Sequence, residues 1–302
     1  MEKDRTGFIG SSDIAAILGL DPYTTILSLW AEKTGQIQPK DLSDNEAVEW
    51  GMRLEKIVAK KFADKHKVKL IAYKKRFVHP KYNFLTCELD TIIANTDESV
   101  EIKTCNAWKF KDWEQPDEIP AQYICQVMFA LGLSNRKIGH IAVLVGGQRY
   151  IEKKIIFDQK VFDSMVEKAV AFWQNYVLTK IMPTVISYKD NDVLYQLFPN
   201  PQPKSEIQLG DDEQKIVENI QSLEQDKKSI EATIDQQKNI LKTKLGNYEL
   251  GLTNNYKIHW RPQTTRRLSI DTIKQKFPEI YEQNSFNIET RVLRISERKN
   301  LT

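Results

Sequence analysis

Apolar residues recur every three or four positions between about 45 and 66, which predicts an amphipathic helix. Gly51, Val58, Ala59 and Phe62 share its apolar face, and Glu55 falls on the same stripe. A carboxylate there calls for a cation, a salt bridge or a place at the rim, since burying even a neutral polar group unpaired costs about 2–7 kcal/mol. A short helix is expected over 13–20, with Ser11 or Ser12 as N-cap and Gly19 and Pro22 ending it. Strand patterns fall near 68–79, 83–94, 99–105, 138–145 and 149–157, and helical patterns near 120–133 and 159–178. Residues 1–185 thus read as one α/β unit, a sheet flanked by helices.

Beyond it the pattern changes. The Pro- and Asn-rich passage 183–203 has no clear period, and 186–210 is taken as a linker or extended arm. A long helix is expected over 211–245, stopped by Gly246. Ile216, Ile220, Leu223, Ile230, Ile234 and Leu241 follow alternating steps of four and three, with Lys227 and Gln237 completing the seam. This is a coiled-coil pattern reaching ~50 Å, too long for its own small domain to cover. It is expected to pack on another chain, a partner or the α/β body. A strand at 256–260, a basic patch at 261–267, a helix at 271–284 and a strand at 290–296 complete an extension over 211–302.

Composition adds bounds. Of 302 residues, 41% are hydrophobic and 28% charged, ordinary for a soluble globular protein. No run approaches ~18 apolar residues and the first four residues do not open a signal peptide, so a cytosolic protein without membrane association is expected. Cys87, Cys105 and Cys125 are too few and too scattered for a disulfide scaffold or zinc site, and read as small packing groups. The net charge of +3 is uneven: from Tyr256 onward ten Lys+Arg face five Asp+Glu. That suits a basic tail on nucleic acid, or equally on an acidic protein.

The chemistry concentrates between 83 and 130. Asp90 ends one strand segment, 95–98 reads as a turn, and Glu101-Ile102-Lys103 lies on the return. Paired in a hairpin, Asp90 and Glu101 lie side by side, and Glu101 and Lys103 share a face. Two carboxylates and a lysine suit a hard divalent cation and a polarised water, or else an ordinary charged hairpin. In the helix begun by Pro120, Tyr123 and Gln126 share a face opposite Ile124, Val127, Met128 and Leu131. That pair is either solvated or set to bind a phosphate or a metal-bound water. The loop carrying Trp108, Lys109, Phe110, Lys111 and Trp113 alternates aromatics with lysines, suited to clamping nucleic acid or to shielding the core. Arg5 lies one loop before Ser11 and Ser12, where a helix start favours an anion.

Taken in order, these segments resemble the lambda exonuclease and YqaJ-like viral recombinase family, a branch of the restriction-endonuclease-like nucleases. The matching motifs are R-x-G-x-x-x-S-[DE] near Arg5 to Asp13, W-G-x-x-x-E from Trp50 to Glu55, a strand ending in Asp90, E-x-K at Glu101 to Lys103 and Y-x-x-Q at Tyr123 to Gln126. The resemblance runs from about Arg5 to Pro183 and implies a restriction-endonuclease-like mixed sheet flanked by helices. It implies that Asp90, Glu101 and the Ile102 carbonyl bind Mg²⁺, with Mn²⁺ able to substitute, and that Glu55 holds a second ion. Lys103 would orient or deprotonate the attacking water, and Gln126 and Tyr123 would position the water and the scissile phosphate. Arg5 and Ser12 match a pocket for a 5′-terminal phosphate. The chain departs from the family at Cys87-Glu88-Leu89-Asp90-Thr91, where S-P-D-G is usual. The lost Pro and Gly change the turn and leave Asp90 less constrained, and Glu88 adds a carboxylate. The iron–sulfur branch of these nucleases needs four cysteines, more than this chain has.

The function so implied is a Mg²⁺-dependent 5′→3′ exonuclease on linear duplex DNA, leaving 3′ single strands for phage-type annealing recombination. A ring-shaped homotrimer, a RecT- or Beta-type annealing partner and a phage or prophage origin in a bacterial cytoplasm go with it. The C-terminal helix or basic patch is the expected docking site for that partner. A structure- or site-specific endonuclease on the same fold, or a catalytically silent DNA-binding scaffold, are the competing readings.

Overall fold

The computed structural model describes residues 5–39, 41–73, 75–115, 118–184, 187–288 and 291–298. It divides into two units, 1–199 and 200–302. The first unit is mixed α/β. A 3-10 turn, Ser11–Asp13, leads into α1 (Ile14–Ile17), followed by α2 (Ile26–Lys33) and α3 (Glu46–His66). Strands β1 (Leu70–Ala72), β2 (Phe77–Val78), β3 (Thr86–Cys87), β4 (Thr91–Ile93) and β5 (Glu98–Cys105) follow. After a 3-10 segment, Ala107–Trp113, come α4 (Ala121–Ser134), β6 (Ile138–Val145), β7 (Arg149–Ile156) and α5 (Gln159–Phe172). The last runs on as a π-helical turn, Trp173–Val177, and α6 (Asn191–Leu197) closes the unit.

The main sheet has the order β1-β4-β5-β6-β7, with β5 and β6 parallel and the other pairs antiparallel. A parallel pair needs a crossover, and α4 supplies it. Because side chains alternate along a strand, β5 splits its residues between two layers. Val100 and Ile102 pack with Val58 and Phe62 of α3. The opposite face meets α4, where β6 comes so close that a Cβ on Gly139 would lie 2.3 Å from Val127 Cγ1. Only a residue without a side chain fits there. Glu101 and Lys103 belong to this α4 face.

The helix at 45–66 forms as expected, with Asn45 capping it through N–H groups of Ala47 and Val48. Val58 and Phe62 are buried, but Glu55 is exposed, so it stands at the open end of the stripe rather than within it. The expected helix over 13–20 shrinks to α1 and its preceding turn. Gly10, not a serine, is the N-cap, and the Asp13 carboxylate bonds its N–H at 2.9 Å. The expected strand 68–79 divides into β1 and β2, in separate sheets, on either side of Lys74, which lies outside the described residues. The expected strand 83–94 likewise divides into β3 and β4, because Glu88-Leu89-Asp90 turns away from the ladder. Residues 185–186, at the expected domain junction, also lie outside the described residues.

The passage read as a linker contains α6, which packs on α2. Its anchor is Asp190, fully buried, whose carboxylate accepts from the Thr25 hydroxyl and from the Ser187 N–H. Asp190 had no periodic signal around it.

The second unit holds α7 (Asp211–Leu245), a hairpin of β8 (Leu250–Leu252) and β9 (Lys257–His259), then α8 (Ile270–Lys276) and α9 (Pro278–Asn284). The long helix has the expected bounds. The helix expected over 271–284 is two, since Pro278 has no N–H to continue α8 and instead opens α9. Residues 291–296 carry no strand, contrary to expectation, and Thr290 lies outside the described residues.

Candidate active site

The β4–β5 register pairs Thr91 with Val100. Extended by one residue, it sets Asp90 opposite Glu101. Asp90 is fastened there: its carboxylate accepts the Ile102 N–H at 2.9 Å. The changed turn has therefore not freed it, contrary to the expectation drawn from its missing Pro and Gly. Glu88, the added carboxylate, is exposed and accepts from the Arg76 guanidinium at 3.1 and 3.2 Å.

Glu101 is 93% removed from solvent and accepts two bonds on Oε1, from Lys103 Nζ at 2.7 Å and from Gln126 Nε2 at 2.6 Å. Gln126 thus faces the site from α4, not solvent. Lys103 Nζ also lies 5.5 Å from the centre of the Tyr123 ring, which stacks on buried Trp113 at 5.4 Å. Among the expected residues, Asp90, Glu101, Ile102, Lys103, Tyr123 and Gln126 form one contiguous cluster.

Electrostatics fits this geometry. Burial and then the Glu101 charge push the Asp90 carboxyl up to about 7, against the Ile102 N–H and Lys103, which lower it. Glu55 adds a smaller push in the same direction, which ties its charge to the site although its side chain is exposed. Burial pulls the Lys103 ammonium down, but the Glu101 charge and hydrogen bond more than offset it, and the net direction is upward. Burial, followed by Glu101 and Glu88, pushes the Cys87 thiol up to about 12, so it stays neutral and packs against the Ala130 carbonyl. Cys125 is also buried and Cys105 partly so, as packing groups should be.

All the donors gathered here are oxygens apart from Lys103 and the Gln126 amide, a set suited to a hard cation. An acid pair of buried Glu101 and half-buried Asp90, with Asp90 driven toward neutrality, is one that a divalent cation would recharge. As built, Glu101 turns to Lys103 and Gln126, and among the described residues no three His, Cys, Asp or Glu side chains gather at ligating distance.

A second cluster lies at the N-terminus, where Ile9 bridges Leu85 beside β3 and the Ser11–Asp13 turn packs on α4. Arg5 donates to Ser12 Oγ at 2.9 Å and to Asp13 Oδ1 at 3.0 Å, with half its side chain exposed. Two cations join it that the sequence did not single out. Lys33 is buried and holds Asp13 Oδ2 at 2.8 Å and the Arg5 carbonyl at 2.9 Å. Arg76 lies 4.4 Å from the centre of the Phe8 ring. Lys33 closes α2, where no element was expected, and gives no signal of burial, and Arg76 gives none of partnership.

In the Trp108 loop the aromatics separate. Trp113 is buried and Phe110 is covered by the Arg149 guanidinium at 3.7 Å, whereas Trp108 is 89% exposed. Lys109 pairs with Asp112 at 3.5 Å, and Lys111 is exposed. One end of this loop therefore shields the core, and the other leaves Trp108 in solvent.

A YqaJ-like viral recombinase domain model matches residues 2–137. The uncharacterized protein YqaJ of Bacillus subtilis (strain 168) is 30% identical over 283 residues, covering 93% of this chain and 88% of its own. The chain belongs to the YqaJ-like viral recombinase family. Solved structures similar to this YqaJ-like protein include an alkaline exonuclease from Laribacter hongkongensis, at 15% identity and a TM-score of 0.49, over 58% of this chain and 90% of that one. A phage-related exonuclease from Haemophilus somnus 129PT has 16% identity and a TM-score of 0.46, over 57% and 95% respectively.

Proposed function

We propose that this YqaJ-like protein is a divalent-metal-dependent exonuclease that degrades the 5′-ended strand of linear duplex DNA and leaves 3′ single strands for annealing recombination. The observation that carries this is half-buried Asp90 beside buried Glu101, with Lys103 and Gln126 on one Glu101 oxygen. Mg²⁺ is the expected ion, with Mn²⁺ able to replace it. Asp90, Glu101 and the Ile102 carbonyl would hold it, with Glu55 placed for a second. When bound, such a cation supplies Lewis acidity toward the phosphoryl oxygen and stabilises the leaving oxygen.

The chain's own residues do the rest. Lys103 is held protonated, so its part is to orient the incoming water and offset negative charge at phosphorus, not to remove a proton. Gln126 fixes one Glu101 oxygen and leaves the other for ligation. Tyr123 keeps its proton, because burial outweighs Lys103 in raising its pKa, and can donate to a phosphate oxygen. Arg5 and Ser12 would bind a terminal 5′-phosphate through charge-assisted hydrogen bonds. Trp108, with Lys109 and Lys111, would hold the strand beyond the site.

No helix of the described residues is long and apolar enough to cross a membrane. In keeping with the family, the reading includes a homotrimer working in a bacterial cytoplasm for a phage or prophage, with a RecT- or Beta-type annealing protein docked at the C-terminal unit. A degradation time course tests it on 5′-phosphorylated linear, 5′-hydroxyl linear and closed circular duplexes, each end-labelled, with Mg²⁺. Loss of the 5′-labelled strand from phosphorylated ends supports the reading. Cutting of circles supports an endonuclease instead, and intact DNA of every form with stable binding supports a silent scaffold.

A further inference from the structure

We propose that α7 pairs with α7 of a second copy of this chain in an antiparallel coiled coil. Its seam residues Ile216, Leu223, Ile230, Ile234 and Leu241 are between 44% and 60% exposed, a stripe of large apolar groups about 40 Å long. Only Leu245 of the helix is buried, at the end that meets the β8–β9 hairpin.

Two features of the chain select the occupant. The first is charge. Residues 211–226 carry six acids and one lysine, a net −5, whereas 227–245 carry five lysines and two acids, a net +3. Complementing the helix's own dipole accounts for the first and last turns alone. Glu218, Glu224, Asp226, Lys227, Lys228 and Lys238 lie beyond those turns. A parallel pair would set −5 beside −5 and Lys227 against Lys227, while an antiparallel pair sets each acidic half beside a basic one.

The second is the seam, which closes on itself when one copy is reversed. Ile216 then meets Leu241 of the second copy, Leu223 meets Ile234, Lys227 meets Ile230, and Ile220 meets Gln237. One step further out, Glu213 meets Lys244. Such a contact is isologous, with each residue pair occurring twice about a two-fold axis. Lys227 and Gln237 weaken the seam but disfavour slipped registers, the role polar seam residues best serve.

Disulfide trapping in the full-length chain tests this. Leu223→Cys combined with Ile234→Cys places two thiols together across the antiparallel seam. Within one helix the same positions are ~16 Å apart, beyond the reach of a disulfide. Mild oxidation should give a covalent dimer from the double variant and none from wild type or from Leu223→Cys alone. In sedimentation, Ile220→Glu with Ile234→Glu should halve the wild-type mass, to one chain if single chains pair or to one trimer if two trimers pair through α7, while circular dichroism retains the helix content. A covalent dimer from Leu223→Cys alone overturns the proposal in favour of a parallel pair. Absence of any cross-link with an unchanged mass also overturns it, and leaves the seam to another protein or to this chain's own α/β unit.

Discussion

Replacing Asp90 by Asn should remove activity and stabilise the metal-free protein. The carboxyl rises from 3.8 to about 7 on folding, so the folded state binds its proton more tightly than the unfolded chain does. A raised acid costs stability as pH rises above the unfolded value of 3.8, and the cost is complete once pH exceeds the folded value of about 7. At pH 8 the shift corresponds to at most about 4 kcal/mol, since each pKa unit is worth about 1.4. Part of Asp90 faces solvent, which screens the effect, so about 2–4 is the working range. Asparagine keeps an oxygen for the Ile102 N–H and carries no charge toward Glu101. For a unit of this size 1 kcal/mol moves Tm by about 2–4 °C. Thermal melts without metal should therefore put the variant roughly 5–15 °C above wild type at pH 8, with the gap shrinking below about pH 7 and closing near pH 4. Added Mg²⁺ should narrow the gap by stabilising wild type alone, through preferential binding to its folded state. A variant that melts at or below wild type at pH 8 would refute the argument that folding penalises the Asp90 charge.

Four further outcomes are expected. Lys103→Ala should lower kcat by roughly 10²–10³ in single-turnover assays, the scale of one lost transition-state donor, with duplex affinity retained in filter binding. Arg5→Ala should slow cutting of 5′-phosphorylated ends about 10-fold or more, the value of one charge-assisted hydrogen bond, and leave 5′-hydroxyl ends unchanged. Trp108→Ala should weaken single-strand affinity by about 1–3 kcal/mol in fluorescence titrations without shifting Tm, because that ring is almost fully exposed. A chain ending at Pro183 should melt roughly 5–10 °C lower than one ending at Pro199. The shorter form loses Asp190 and its bond from Thr25, worth about 1.5–3 kcal/mol.

Long periodic elements were legible because their signal is local. The helices at 46–66 and 211–245 match their expected bounds to within a residue, and β5, β6 and β7 nearly so. What failed was interruption. The 83–94 run looks like one strand, since Leu85, Cys87, Leu89 and Thr91 alternate. Yet the chain leaves the ladder at Glu88–Asp90, where Asp90 bonds Ile102 N–H across the sheet. That choice is made by a partner twelve residues away, which no local window contains. Asp190 is the same case over a longer reach, buried by Thr25 from another part of the chain.

The candidate cluster was partly legible for a different reason: Glu101 and Lys103 lie on a strand whose faces the period fixes. Glu101 and Lys103 must share a face of β5, and α4, which crosses between β5 and β6, covers that face and resolves the choice for Gln126 toward Glu101. Lys33 and Asp13 show what such reasoning misses. A lysine closing a short helix reads as solvated, and here it is buried against an aspartate and the Arg5 carbonyl. Removing one member of a buried pair costs about 3–5 kcal/mol, so such a pair constrains what it touches. It touches both the backbone and the acid partner of Arg5. The pose of that arginine is therefore set from beneath, by a lysine that belongs to another helix than the Asp13 it holds.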